Sequence, residues 1–346
     1  MAVLNGQNLS KLDILRRVSD MRQLAGAIPF ELVDGAERGT RGVRLYNAAG
    51  LDMNVITDRG MGITELSWRG TQLALLTPIG AAHPAFTEQP GLGWLRTWPG
   101  GFVTVCGLSQ VGSPALDGGE ELGQHGRAAA TPARGVTCGG SWEGEEYSLW
   151  VEGTLREGVV FGPQLALRRK VTMKLDQARF WIEDCITNES FHPAPLMLLQ
   201  HFNLGFPLLD AGAELELPPG EVLPRDQTAA AGLADWARFQ PPQAGYSEQV
   251  FYHDPQPDEA GWVQVRLRNR AAGGGNGVGV YWKYRKADYP VLVEWKMMAE
   301  GLYVLGVEPA NCHVEGRARE RERGTLQVLA PHENRTFVIE VGFSQE

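Results

Sequence analysis

The sequence of 346 residues is 43% apolar and 21% charged, and its 41 acidic against 32 basic side chains give a formal net charge of -9 at pH 7. That balance describes a globular chain long enough to bury a large core and excludes a disordered one. An acidic chain also disfavours nucleic acid and anionic membrane as partners, because both are bound by neutralising phosphates with clustered Lys and Arg.

The N-terminal "MAVLNGQNLSKLDILRRVSDM" lacks the apolar core of a secretory signal, and no window anywhere reaches the length of a spanning helix, so a cytoplasmic location is expected. Leu12, Ile14, Leu15, Val18 and Met21 recur at helical spacing behind Ser10, a candidate N-cap, with Arg16 and Arg17 opposite. A short helix within residues 1–25, packed on the rest, is therefore expected. Beyond it, 43 glycines and 21 prolines separate short alternating runs, the pattern of an all-β protein.

The clearest strand pair is "LALRRKVTMKLDQARFWIEDCITNES". Leu165, Leu167, Arg169, Val171, Met173 and Leu175 share one parity, "DQAR" supplies a turn, and Phe180, Ile182, Asp184 and Ile186 resume. "PRDQTAAAGLADWARFQPPQAGYSEQ" reads as a surface excursion with a short helix. "WVQVRLRNRAAGGGNGVGVYWKYRK" gives two strands around a Gly-rich connection, and "TLQVLAPHENRTFVIEVGF" gives two more. The intervening "RARERERG" reads as a charged, solvent-facing strand edge of the kind that deters aggregation. No linker or repeat divides the chain, so one domain spanning 1–346 is expected.

Several polar groups interrupt these runs. Asp58 and Arg59 precede Gly60 after a strand, as either a salt-bridged turn or a ligand contact. Trp94, Arg96 and Trp98 lie beside Pro99-Gly100-Gly101; aromatic faces next to a guanidinium suit the C–H faces and hydroxyls of a sugar, although Trp near a turn is equally a core residue. Gln124, His125 and Arg127 flank Gly126, where His is as easily a surface group. In "LMLLQHFNLGFPLLD", Gln200, His201 and Asn203 sit in a run that must be buried, and a buried imidazole has to be hydrogen-bonded or used. Glu308 ends the apolar strand from Tyr303, ahead of Pro309, where a carboxylate is costly unless paired or used. His313 and Glu315 lie nearer a turn and are expected to be solvated.

Cys106, Cys138, Cys185 and Cys312 form no C-x-x-C pair, so zinc-ribbon and thiol-redox readings fall. Nucleophile-elbow, H-E-x-x-H and dinucleotide-loop motifs are absent too.

Taken together, "TDRGM" (57–61), "WLRTWPGGFVTVCGL" (94–108), "QHGRAAATPA" (124–133), "LLQHFNLGFPLL" (198–209) and "VLGVEPANCHVEGRA" (304–318) resemble, in order, the galactose mutarotase-like (aldose 1-epimerase) superfamily, in its branch of uncharacterised aldose 1-epimerase-like proteins. The resemblance implies an all-β fold, a large antiparallel β-sandwich called a supersandwich, and an isomerase with no metal or redox cofactor. It implies His201 as general acid and Glu308 as general base, with His125 contacting the sugar. Asp58, Arg59, Arg96, Trp98, Arg127 and Asn203 complete the expected substrate-binding set. Gly62 stands where that branch carries a second Asp. Proximity to Glu308 would raise the pKa of His201 and keep it cationic. An epimerase of a sugar phosphate clamped by Arg59, Arg96 and Arg127, another sugar epimerase or isomerase, a non-catalytic carbohydrate-binding protein, and a metal held by His125, His201 and Glu308 are the alternatives. A monosaccharide or sugar-phosphate substrate is the expected partner, and the chain would be a monomer or homodimer.

Overall fold

The computed structural model describes all 346 residues. Strands Gln164–Lys174 and Arg179–Asn188 form the expected hairpin, with Met173 opposite Phe180 and the turn at 175–178. Its alternation reflects burial on one face: Leu167, Arg169, Val171, Met173, Phe180, Ile182, Asp184 and Ile186 are all buried. This hairpin lies within an eight-stranded sheet whose order is 134–143, 146–158, 164–174, 179–188, 334–344, 278–285, 262–269 and 214–216. A twelve-stranded sheet faces it, with a main path of 220–224, 249–255, 291–299, 302–310, 194–204, 103–108, 62–68, 51–56, 41–46 and 26–31. Neighbouring strands in both sheets run antiparallel. Their facing sides share a core of 60 buried residues, so the chain is the antiparallel β-sandwich that the strand pattern implies. No helix is long and apolar enough to cross a membrane.

Strand Ala194–Leu204 explains its own composition, because both of its faces are covered. Leu196, Leu198, Phe202 and Leu204 enter the core between the sheets, whereas Met197 and Leu199 join a second cluster with Trp94, Trp98, Cys106 and Val293 on the opposite face. Gln200 points inward, where its amide nitrogen donates to Asp184 at 2.7 Å and its oxygen accepts from Arg169 at 2.8 Å. Arg169 and Asp184 pair at 2.6 Å with no solvent exposure. Arg169, Asp184 and Gln200 thus bond to one another, leaving only Arg169 Nη1 without a partner.

Two segments differ from the sequence reading. Residues 1–9 form a small hairpin, and the helix after Ser10 spans only Lys11–Leu15. Asp20 caps a separate 3-10 turn at Met21–Gln23, which interrupts the helical spacing. "RARERERG" is not a strand edge but the helix Arg317–Arg323, stopped by Gly324 in the left-handed region. Its charges are not all solvated: Arg317 and Glu320 are 4% and 1% exposed.

Candidate active site

His201 and Glu308 meet because their strands are neighbours. Strand Leu302–Ala310 pairs with Ala194–Leu204 in a register that sets Val307 opposite Phe202, bringing His201 alongside Glu308. His201 Nε2 lies 3.3 Å from Glu308 Oε1, although Oε1 has no aligned hydrogen-bond partner. On the other side, Thr104 stands opposite His201 and accepts a hydrogen bond from Trp98 Nε1 at 3.2 Å. The strand register therefore fixes His201, Glu308 and one aromatic wall together.

These groups border a cavity of about 340 Å³. Trp94 and Trp98 stack at 5.2 Å and 21°, and Trp295 stands edge-on to His201 at 5.6 Å. Arg225 and Glu248 line the same cavity, joined at 3.0 Å, and Trp295 Nε1 donates to Glu248 at 2.9 Å. Trp94, Gln124, His201 and Glu308 each leave a buried polar atom without a partner. Buried polar atoms ordinarily have partners, so these four leave unused hydrogen-bonding capacity at the cavity.

His125 accepts the Gly112 N–H at Nδ1 over 3.4 Å, which places the proton of the neutral ring on Nε2. Burial pushes its pKa down to about 4, so it is a neutral donor at pH 7. His201 is also held well below the usual imidazole range, first by burial and then by His125, against a raising contribution from Asn203. Burial lifts Glu308 well above the carboxylate range; the charge of Glu248 adds to this and Arg225 opposes it. The expected cationic His201 is thus corrected: burial disfavours its charged form and His125 adds to that effect. Both shifts favour the uncharged form of each side chain.

The remaining expected contacts divide. His125 and Trp98 line the cavity, but Asp58, Arg59, Arg96, Asn203 and Arg127 do not. Asp58 pairs with Arg41 at 2.8 Å. Arg59 lies behind the aromatic wall, donating to the Thr97 carbonyl at 2.6 Å and to Thr87 Oγ1 at 3.1 Å, with burial lowering its pKa to about 10. The Arg96 side chain is 72% exposed and pairs with Glu88 at 3.2 Å. Asn203 donates to the carbonyls of Gly101 and His201. Arg127 faces a second cavity of about 390 Å³ on the far side of the segment that carries His125. That larger space has no lining residue with an orphaned buried polar atom. At Gly62 a Cβ would stand 3.0 Å from the Val103 carbonyl, so an Asp there would press on the neighbouring strand.

His313 and Glu315 are held by Glu320 and Arg323 rather than left to solvent. No group of three or more His, Cys, Asp or Glu side chains comes together to hold a metal ion, so the ligand set His125, His201 and Glu308 does not form. Sequence reasoning missed Arg225, Glu248 and Trp295. For Trp295 a signal existed: strand Val291–Ala299 alternates, and Val293 and Trp295 share the parity that faces the cavity.

A family model described as a domain of unknown function (DUF4432) matches residues 37–343. A search of curated proteins finds no match to the sequence. Among solved structures, the chain resembles a "putative aldose 1-epimerase" of Klebsiella pneumoniae with a TM-score of 0.88 and 24% identity, over 96% of this chain and 86% of that one. It also resembles a galactose mutarotase-like protein of Clostridium acetobutylicum (TM-score 0.60, 14% identity, 92% and 99% covered). A galactose 1-epimerase of Lactobacillus acidophilus is similar at a TM-score of 0.57 and 14% identity, with 93% and 99% covered. These likenesses establish the galactose mutarotase-like fold.

Proposed function

We propose that this chain, which belongs to the DUF4432 family, is an isomerase that interconverts the anomers of a free, uncharged aldose by general acid–base catalysis. One observation carries the reading: a buried His and Glu 3.3 Å apart at the wall of a tryptophan-lined cavity. A protein that only holds sugar has no need of such a pair.

Anomer exchange requires a proton to reach the ring oxygen as the C1 hydroxyl loses one. The C1–ring oxygen bond then breaks, the open-chain aldehyde rotates about C1–C2, and the ring closes on the other face with the proton movements reversed. In this reading Glu308 takes the O1 proton and His201, in its imidazolium form, protonates the ring oxygen. That ionised arrangement is a tautomer of the uncharged pair and needs no proton from outside. The site then carries no net proton gain or loss through the cycle. Each transfer typically contributes about 10²- to 10⁴-fold. His125 donates from Nε2 to a sugar oxygen, and the indole faces take the C–H surfaces.

The sugar-phosphate alternative needs an uncompensated cation at the cavity. Arg59, Arg96 and Arg127 lie elsewhere, and Arg225 is engaged by Glu248 at 3.0 Å and Asp226 at 2.9 Å, which favours a neutral substrate. The test is an NMR measurement of anomer exchange over a panel of aldoses, ketoses and their phosphates. Exchange is expected on neutral aldoses and should disappear in His201→Ala and Glu308→Gln. Full turnover in either folded variant would end the acid–base assignment, and binding without turnover on any sugar would favour a sensor.

A further inference from the structure

The helix Arg317–Arg323 plays no part in the chemistry above, yet its first side chain is among the most heavily bonded in the molecule. Arg317 Nε donates to Asp117 at 2.6 Å, Nη2 to Glu120 at 2.6 Å and Nη1 to the Ser109 carbonyl at 3.4 Å. Arg321 closes on the same Asp117 at 2.8 Å and 2.9 Å. Asp117 and Glu120 belong to the two short strands 115–117 and 120–122, whose chain runs on directly to His125.

A continuous set of bonds leads from this cluster to the His125 ring. The main-chain N–H of Arg317 donates to Gln110 Oε1 at 2.8 Å, at the helix end that the guanidinium anchors, and Gln110 Nε2 donates to the Ser113 carbonyl at 2.6 Å. Gly112, between them, donates to His125 Nδ1 and accepts the His125 N–H at 2.9 Å. The backbones here leave no slack. A Cβ at Gly112 would fall 2.0 Å from the Val314 carbonyl oxygen, and one at Gly316 2.8 Å from that of Ser113. His125 itself has φ +55, a left-handed conformation that few non-Gly residues adopt, so its surroundings help to hold it there.

We infer that Arg317, acting through Gln110 and residues 109–113, is a positioning residue that holds His125 in its left-handed turn with the ring proton on Nε2. The use of that proton on a sugar rests on the proposed function; the placement does not. A buried ion pair is a weak source of stability, because desolvation cancels much of its attraction. What the fork geometry of Arg317 supplies is fixed geometry: three acceptors on two segments are set relative to one helix end, which Lys, with its single flexible ammonium, cannot reproduce.

The experiment is a two-bond ¹H–¹⁵N NMR spectrum of the imidazoles at pH 7, with His125→Gln identifying the His125 signals among the seven histidines. Wild type should show a single Nε2–H tautomer at His125. Arg317→Lys, which keeps the charge and leaves Arg321 on Asp117, and Gln110→Glu, which keeps the acceptor and loses the donor, should each give nitrogen shifts averaged between tautomers. For a neutral aldose, KM should rise about 10-fold or more with kcat less affected. Arg266→Lys, at a remote pair with Glu346, is the control and should change neither. Near-UV circular dichroism confirms folding; should Gln110→Glu fail to fold, Arg317→Lys decides alone. A folded Arg317→Lys with wild-type His125 nitrogens would overturn the inference. A tautomer change in a protein that converts no sugar would uphold the positioning and remove the isomerase reading.

Discussion

Two His–Glu pairs lie buried in the same sheet, and only one borders a cavity from both of its members. His253 and Glu294 are 2% and 1% exposed, and His201 and Glu308 are 7% and 2%. Val293 stands opposite Glu308 across the strand pair, so Glu294, one residue on, points through the sheet to its other face. There, His253 Nε2 bonds Glu294 Oε2 at 2.8 Å beneath the Trp236 ring, and Lys296 is fixed on the carbonyls of Asp235 and Arg238. The hydrogen bond with His253 opposes the effect of burial on Glu294. Glu308 has no aligned bond from His201, and both residues face about 340 Å³ of space. Residue types and burial are therefore nearly equal in the two pairs. Each carboxylate keeps one oxygen without a partner, but Glu294 is bonded to His253 through the other and clasps two strands, whereas Glu308 has no aligned bond from His201 and shares a cavity with it.

The largest way to break the comparison is to remove each imidazole. His201→Ala is expected to lower kcat/KM for anomer exchange by about 10²-fold or more. His253→Ala should leave the rate per folded molecule nearly unchanged but cost about 1–3 kcal/mol in urea unfolding, because Glu294 loses its partner. Equal activity losses would erase the distinction drawn here.

The next effect concerns pH. The folded-state pKa of His125, about 4, lies below the ordinary imidazole value of 6.5, so the unfolded chain binds a proton that the folded chain refuses. Stability from this group is complete above pH 6.5 and is lost as pH falls toward 4, by an amount on the order of 3 kcal/mol. His201 acts in the same direction. Urea midpoints measured from pH 7 to 4 should fall steeply in wild type and less steeply in His125→Gln; parallel curves would contradict the depressed pKa.

A smaller effect concerns the His201–Glu308 pair itself. Glu248 raises the proton affinity of Glu308, so Glu248→Gln should move the alkaline limb of the pH–rate profile to lower pH, and a move upward would contradict the coupling. Least of all, Arg96→Ala and Arg127→Ala should leave kcat/KM for a neutral aldose within about twofold, since surface ion pairs and remote cations contribute little. A large loss in either would return the anion clamp to consideration.

How far the sequence could be read follows from the same physics. The hairpin of residues 164–188 was legible because one face is wholly buried, which enforces period-two alternation and places even Arg169 and Asp184 on the apolar parity. His201 and Glu308 were legible as buried polar groups, but their contact depends on a strand register that no local spacing encodes; the family resemblance suggested it. "RARERERG" misled because alternating charge suits a strand edge as well as a helix, and the deciding contacts, from Arg317 and Arg321 to Asp117, span some 200 residues. Arg59, Arg96 and Arg127 lay in the right motifs, yet the turn at each sends the side chain behind, outside or beyond the cavity wall. Arg225 and Glu248 border the cavity from opposite ends of a surface excursion that the sequence marked only as irregular.

The central claim is tested most directly by saturation-transfer NMR between the α and β anomeric protons of a neutral aldose, comparing Glu308→Gln with Glu294→Gln at equal concentrations of folded protein. The account predicts that enzyme-catalysed exchange vanishes in Glu308→Gln and persists in Glu294→Gln. Exchange that survives loss of the Glu308 carboxylate would contradict it.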